Sequence, residues 1–346
     1  MTASVIDCDV HCSPPSVDQL APYLDAYWRE ELRLSSFNRP HAISYTYPPW
    51  SATLGSGNGG STLASLASTA MADVAYAVLH CYYGVESLHH PYLAPTLANA
   101  VNRWIEAEWL TQDPRLLGSA IVAPQYADAA VEEVRRVATS SRYVEVLVPA
   151  RAAEPYGARR YWPIWRAAEE SGLAVAVTFG GLTGTPPTPV NWLATFFEDY
   201  AFASQAFAAH VNSLVFSGIF DECPNLRFVL SESGWTWMPA VMWRMDWEWR
   251  AGHREVPWIV EPPSDYIRRH FRLTTQPTDA PAGSSHIREL ADALGGAEML
   301  MFGSDAPHLY ESKPSALLAH FSAEEKGRLV RTNAIEWYSL GERGRA

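Results

Sequence analysis

Glu298-Met-Leu-Met-Phe-Gly-Ser-Asp-Ala-Pro-His308 reads as a short apolar strand that runs into Asp305 and then His308. The other end of the chain has the same build. Ser4-Val-Ile-Asp-Cys-Asp-Val-His11 is an apolar run that closes on Asp9 and His11. Side chains alternate along an extended strand, so Asp9 and His11 point the same way. Asp305 can converge on them most readily if the first and last strands lie side by side in a closed barrel. Active sites of parallel barrels form at the C-terminal strand ends. The pattern therefore points to a metal or proton-transfer centre at a barrel mouth, and to an enzyme.

The intervening chain supplies the other strands. Strand-like runs at 4–11, 74–80, 116–122, 143–148, 173–179, 227–232, 271–275 and 299–303 alternate with helical patterns. The helical patterns fall at 94–110, 127–137, 162–171, 196–220, 236–250, 286–294 and 323–337. Such alternation marks a parallel βα protein. Eight units favour an α/β fold of the (β/α)8 TIM-barrel type over an open sheet. With 346 residues, 48% of them hydrophobic, residues 1–346 suit one barrel domain with insertions. The segment at about 14–69 is too long for an ordinary βα loop. It contains Tyr47-Pro-Pro-Trp50 and the run Gly55-Ser-Gly-Asn-Gly-Gly-Ser61, and is expected to cap the mouth and to include a mobile stretch. The glycine run lacks the spacing of a phosphate-binding loop. A second insertion at about 252–266 is rich in proline and carries Trp258.

The 26 basic and 38 acidic residues give a net charge of −12, which argues against nucleic acid or an anionic membrane as partner. No apolar run reaches membrane-spanning length, and no signal peptide precedes Ile6. Cys8, Cys12, Cys81 and Cys223 form no Cys-x-x-Cys pair. The expectation is a reduced, cytoplasmic protein without a cysteine-rich zinc site. Fourteen Trp and sixteen Tyr would suit an aromatic-lined pocket or a subunit interface.

The strand ends define the candidate site: Asp7, Asp9 and His11 on the first strand, His80 and Cys81 on the second, and Arg151 after the fourth. Thr178 ends the fifth, Glu232 the sixth, Thr275 and Gln276 the seventh, and Asp305 and His308 follow the eighth. Asp9, His11 and Asp305 suit a divalent metal such as Zn, Fe or Mn, or else are polar strand ends bonded to loop backbone. Glu232 could be a general base, or one half of a rim ion pair. Arg151 could grip a substrate carboxylate through its planar fork, or pair with an acid such as Glu154. His80 could touch substrate or be a satisfied buried histidine, and His308 could line the mouth. His89 and His90 read as structural, and His210, on a helical face with Phe207 and Leu214, reads as packing.

These segments together resemble the amidohydrolase superfamily, in the branch related to aminocarboxymuconate-semialdehyde decarboxylase. The resemblance rests on Ile6-Asp-Cys-Asp-Val-His11, on Gly218 to Trp235 with its strand ending in Glu-Ser-Gly, and on Phe302-Gly-Ser-Asp-Ala-Pro-His308. It covers nearly the whole chain, with Ala306 where the family has Tyr. It implies a (β/α)8 barrel with a metal at its mouth, often zinc or manganese, acting on small, often aromatic acids. Asp9 and His11 resemble the strand-one ligands and Asp305 the strand-eight aspartate. Glu232 stands near the catalytic histidine of the decarboxylases. The departure is on strand five, where Thr178 occupies the position of a histidine ligand.

The resemblance thus implies metal-assisted hydrolysis or decarboxylation of a small, aromatic carboxylic acid or derivative, with zinc expected ahead of manganese. The metal ligands would be Asp9, His11 and Asp305. Glu232, Asp305 and His11 would carry the chemistry, and Arg151, His80, Thr178, Gln276 and His308 would bind substrate. Two other readings stand beside it. One is a metal-free or weakly metal-dependent lyase or cyclase using the same acid–base set. The other is a non-catalytic binding protein. A homodimer is expected from the branch.

Overall fold

The computed structural model describes residues 5–341 apart from 36, 39, 41–61, 70, 72, 182–185, 187, 281–283 and 309–313. All eight expected strands form: β1 (Val5–His11), β2 (Val74–His80), β3 (Leu116–Ile121), β4 (Tyr143–Pro149), β5 (Ala174–Thr178), β6 (Phe228–Leu230), β7 (Phe271–Thr274) and β8 (Leu300–Met301). They pair in parallel in sequence order. Bonds between β1 and the segment after β8 bring the ring round. Cys8 N donates to Phe302 O (2.8 Å), Asp305 N to Asp9 O (2.9 Å) and His11 N to Ala306 O (2.7 Å). The result is the (β/α)8 barrel that the alternating pattern predicts. β6 and β8 are shorter than expected, so Glu232 lies in a turn beyond its strand rather than at its end, while Asp305 follows β8 as expected.

Strand parity separates two kinds of interior. Ile6, Cys8, Val78, Leu117, Ala174, Ala176, Val229 and Met301 form an apolar cluster inside the ring. Trp337 and Tyr338 pack against it. They do so at the N-terminal ends of the strands, where Arg227, just ahead of β6, donates to Trp337 O (2.5 Å). The opposite parity, including Leu79, Val146, Val175, Val177, Leu230 and Leu273, packs outward under the helices. Most polar side chains of the interior lie toward the C-terminal strand ends, with Glu145, the third residue of β4, deeper.

β1 breaks the simple alternation. Its register with β2 shifts between Asp7 and Val10. Cys8 therefore belongs to the inner apolar cluster, yet Val10 joins the outer layer while Asp9 and His11 turn inward. Asp7 holds this irregularity in place. Its Oδ1 accepts from Asp9 N (3.2 Å) and from Ser304 N (2.9 Å), so it clamps β1 to the segment after β8 and takes no part in the site.

Helices cover the strands much as the sequence predicts, with three refinements. The long stretch after β5 is a helix over Phe196–Ser217 that stops at Gly218, whose φ of 83° is left-handed and lets the chain turn. The insertion at 252–266 runs into an unexpected helix, Pro263–His270. Within the first insertion, helices form at Val17–Leu20, Ala26–Leu34 and Leu63–Thr69. Tyr23 donates to Glu108 (2.8 Å) and Trp28 lies edge-on to His90 (5.5 Å), so this flank leans on the segments around the helix Leu93–Ile105. The stretch expected to cap the mouth, with Tyr47–Trp50 and the glycine run, lies outside the described residues.

His210 behaves as its helical face predicts. It is buried, stacked on Tyr156 at 4.2 Å, with Nδ1 accepting from Tyr156 N (3.1 Å) and Nε2 donating to Ala150 O (2.7 Å). Both nitrogens are satisfied only in the neutral ring, and burial depresses its pKa from 6.5 to about 4. Between these values the unfolded chain binds a proton that the fold does not, so stability falls as pH drops from about 6.5 to about 4. His210→Gln can keep both bonds without that penalty. Its chemical denaturation midpoint relative to the parent should rise between pH 7 and pH 4.5, by the equivalent of about 2 kcal/mol. An unchanged difference would refute a neutral buried ring.

Gly303 carries a second prediction. It faces the interior, and a methyl there would lie 2.9 Å from the Cβ atoms of both Asp9 and Thr274. Neither neighbour has a flexible end that can retreat. Gly303→Ala should cost about 1–3 kcal/mol by overpacking, read as a lowered urea midpoint. A midpoint equal to the parent's would show that β1 and β7 can move apart freely.

Candidate active site

Six segments, β1, β2, β5, β7 and the turns after β6 and β8, deliver side chains to one point at the barrel mouth. His11 Nε2, on β1, is its centre. It lies 3.0 Å from Asp9 Oδ1, 2.9 Å from Asp305 Oδ1 and 3.6 Å from Glu232 Oε1. His308 places Nδ1 2.7 Å from Asp305 Oδ1, with its ring edge-on to His11 at 5.1 Å. Thr178, at the end of β5, donates its hydroxyl to Glu232. Thr274 on β7 donates to Asp9 Oδ2 (3.4 Å) and receives Glu232 N (3.3 Å). Glu232 and Asp305 both sit in left-handed backbone, with φ of 59° and 55°. That conformation costs a residue with a side chain about 1 kcal/mol or more, and it turns both carboxylates inward where a continuing strand would not.

The carboxylates do not share one ionisation state. Burial alone would raise Asp9 and Asp305, but the adjoining imidazoles outweigh it. His80 and His11 hold Asp9 well below the usual carboxylate range, and His11 and His308 hold Asp305 below it. Glu232 moves the other way, raised to about 7 by burial and then by the charge of Asp305. Burial opposes protonation of His11, yet Glu232, Asp305 and Asp9 together push it well above its ordinary value. The site therefore holds one carboxyl able to carry a proton near neutrality beside carboxylates that do not, a division suited to acid–base work.

His80 departs from expectation. It is fully buried, with Nδ1 3.1 Å from Asp9 Oδ1 and Nε2 2.7 Å from Glu145 Oε1. Both ring nitrogens face protein carboxylates, so no polar edge is left for a substrate. Arg151 does not pair with Glu154. Its guanidinium meets Asp199 Oδ2 (2.6 Å) and Gly181 O (3.2 Å) and lies over Phe179 (4.8 Å). Gln276 is buried beyond β7, and its backbone carbonyl shares the Thr274 hydroxyl with Asp9.

The residues that sequence reading missed lie deeper. Glu145 is buried within β4, accepts Ser119 Oγ (2.5 Å) on Oε1 and receives Tyr338 OH (2.8 Å) on Oε2. A lone glutamate in the apolar run Tyr143-Val-Glu-Val-Leu-Val148 was the signal for it. Thr274 and Tyr338 carried no such mark.

Two sets of donor atoms lie close enough to hold one ion: His11, Glu232, Asp305 and His308, and Asp9, His11 and His80, each within 4.8 Å of one another. Asp9 Oδ1, His11 Nε2 and His80 Nδ1 are all buried and make no hydrogen bond of proper geometry despite their closeness. Buried polar atoms are ordinarily satisfied, and imidazole with carboxylate is a donor set for first-row divalent metals. The residues present fit a metal.

The comparisons agree with this geometry. The protein-family model described as Amidohydrolase matches residues 6–340. A gamma-resorcylate decarboxylase of Rhodococcus jostii (strain RHA1) is 29% identical over 276 residues, covering 70% of this chain and 77% of that protein. Among solved structures, 5-carboxyvanillate decarboxylase from Sphingomonas paucimobilis superposes with a TM-score of 0.70 at 21% identity, over 97% of this chain and 99% of that one. A dihydroxybenzoic acid decarboxylase from Polaromonas sp. JS666, solved with bound manganese and the inhibitor 2-nitroresorcinol, gives 0.68 at 18% identity, over 98% of each chain. The relatives are decarboxylases of aromatic acids, and this chain belongs to the amidohydrolase family.

Proposed function

We propose that this protein is a divalent-metal-assisted decarboxylase of a small aromatic carboxylic acid. The observation that carries the reading is the convergence of Asp9 and Asp305 at about 3 Å on His11 Nε2, with the buried Glu232 carboxyl 3.6 Å from the same nitrogen. Asp9, His11 and Asp305 would hold the metal. Manganese takes the place of the zinc expected from the resemblance, because manganese is bound in the Polaromonas relative and two carboxylates make a hard oxygen-rich set. When bound, the ion supplies positive charge that fixes the oxygens of the substrate and stabilises charge developing on them.

The chain's own residues account for the proton. Protonated Glu232 delivers a proton to the ring carbon that bears the carboxylate, and the ring's electron pair forms the new C–H bond. The bond to the carboxylate then breaks, its pair returns to the ring, and CO2 leaves. Thr178 holds Glu232 in position through its hydroxyl. His308, with about a third of its side chain exposed, and Gln276 orient the substrate. Arg151 can take a substrate carboxylate only by leaving Asp199. Among the described residues no helix is long and apolar enough to cross a membrane. We also read the protein as a cytoplasmic homodimer. Exposed Trp243 and Trp247 offer the kind of large apolar surface that pairing covers.

Purified protein should release CO2 from members of a panel of hydroxybenzoates, with loss of activity under a strong chelator and recovery with Mn(II). Turnover that survives complete metal removal would instead favour the metal-free lyase. Hydrolysis without CO2 release from carboxylate esters or amides would replace decarboxylation altogether. Glu232→Gln should lower kcat by about 10²–10⁴-fold, the range for a lost general acid, while metal content stays at the parent's level. A kcat within a factor of two of the parent's would remove Glu232 from the chemistry.

A further inference from the structure

We infer that His80 is itself a metal ligand, through Nδ1, alongside Asp9 Oδ1 and His11 Nε2, and that Glu145 holds it in the ligating tautomer. The inference rests on the metal-assisted reading above and specifies which imidazoles serve it. Position comes first. His80 ends β2, pairs in register with His11 on β1 and points into the ring, fully buried.

The hydrogen-bond pattern then fixes the proton. Glu145 is an acceptor for the hydroxyls of Ser119 and Tyr338, and its Oε1 also lies 2.7 Å from His80 Nε2. A carboxylate that already accepts two donors takes a third from Nε2–H. With that proton kept on Nε2, a metal that displaces the Nδ1 proton would meet the Nδ1 lone pair. Carboxylate–imidazole–metal chains use this arrangement to orient a ligand and choose its tautomer.

Nδ1 faces Asp9 Oδ1 at 3.1 Å, and His11 Nε2 is 3.0 Å from the same oxygen. None of the three atoms makes a hydrogen bond of proper geometry. The contact between Nδ1 and Asp9 Oδ1 lacks hydrogen-bond geometry, so a cation in place of the Nδ1 proton would satisfy both atoms. Two ligands about 2.1 Å from one ion and at right angles stand about 3.0 Å apart, matching these separations. Thr178 completes the argument. Its hydroxyl donates to Glu232 and β5 carries no imidazole, whereas His80 on β2 brings one to Asp9 Oδ1.

The test uses the Mn(II)-loaded full-length protein with ¹⁵N-labelled histidine. Pulsed EPR counts directly bound imidazoles, and elemental analysis gives metal stoichiometry. We expect about one Mn(II) per chain, two ¹⁵N couplings in the parent and one in His80→Gln. Mn(II) affinity should fall at least about 100-fold in His80→Gln, and about 10–100-fold in Glu145→Gln with unchanged stoichiometry. The parent spectrum carries the test even if a variant fails to fold. One coupling in the parent with full metal content would overturn the inference and leave the metal-assisted reading standing. It would make His80 a doubly protonated strut between Asp9 and Glu145. No bound Mn(II) in the parent would overturn both.

Discussion

The contact between β1 and the segment after β8 is the constraint on which the rest depends. Asp305 N donates to Asp9 O, His11 N donates to Ala306 O, and Asp7 accepts Ser304 N. These bonds join the two ends of the barrel sheet. They also set Asp9, His11 and Asp305 around one nitrogen at separations near 3 Å. Closing the fold and assembling the site are thus one event. Gly303 permits it, because only a residue without a side chain fits between Asp9 and Thr274 at the seam.

Bringing acids together in a dry interior is costly unless positive charge accompanies them. Asp9, Glu145, Glu232 and Asp305 lie within the reach of three imidazoles, His11, His80 and His308. The balance is uneven. Asp9 and Asp305 are each flanked by two histidines, whereas burial and then the charge of Asp305 raise Glu232 despite the nearby His11. The geometry that collects metal-type donors therefore also sets a carboxyl of raised pKa beside them.

Below this centre the barrel is apolar. The Ile6, Val78, Ala176 and Met301 layer, closed by Trp337 and Tyr338, keeps the strands in register and gives the polar half a firm floor. Tyr338 links the two halves, since its hydroxyl reaches from that floor to Glu145. Glu145 in turn meets His80, and His80 meets Asp9. A chain of buried side chains thereby connects the floor of the barrel to Asp9 at its mouth.

The sequence by itself determined the eight strands, the barrel class and the identities of Asp9, His11, Glu232 and Asp305 as residues of one site. Period-two apolar runs and the chemistry at their ends are local properties, so they are legible without a structure. The roles of Thr178, His80 and Arg151 were decided by tertiary structure alone. Each depends on which neighbour a side chain meets across the ring: Glu232 for Thr178, Asp9 and Glu145 for His80, Asp199 for Arg151. The same holds for the register shift at Asp7 and the left-handed turns at Glu232 and Asp305. A one-residue shift reverses which face a side chain occupies, and only the paired neighbours reveal that it has happened.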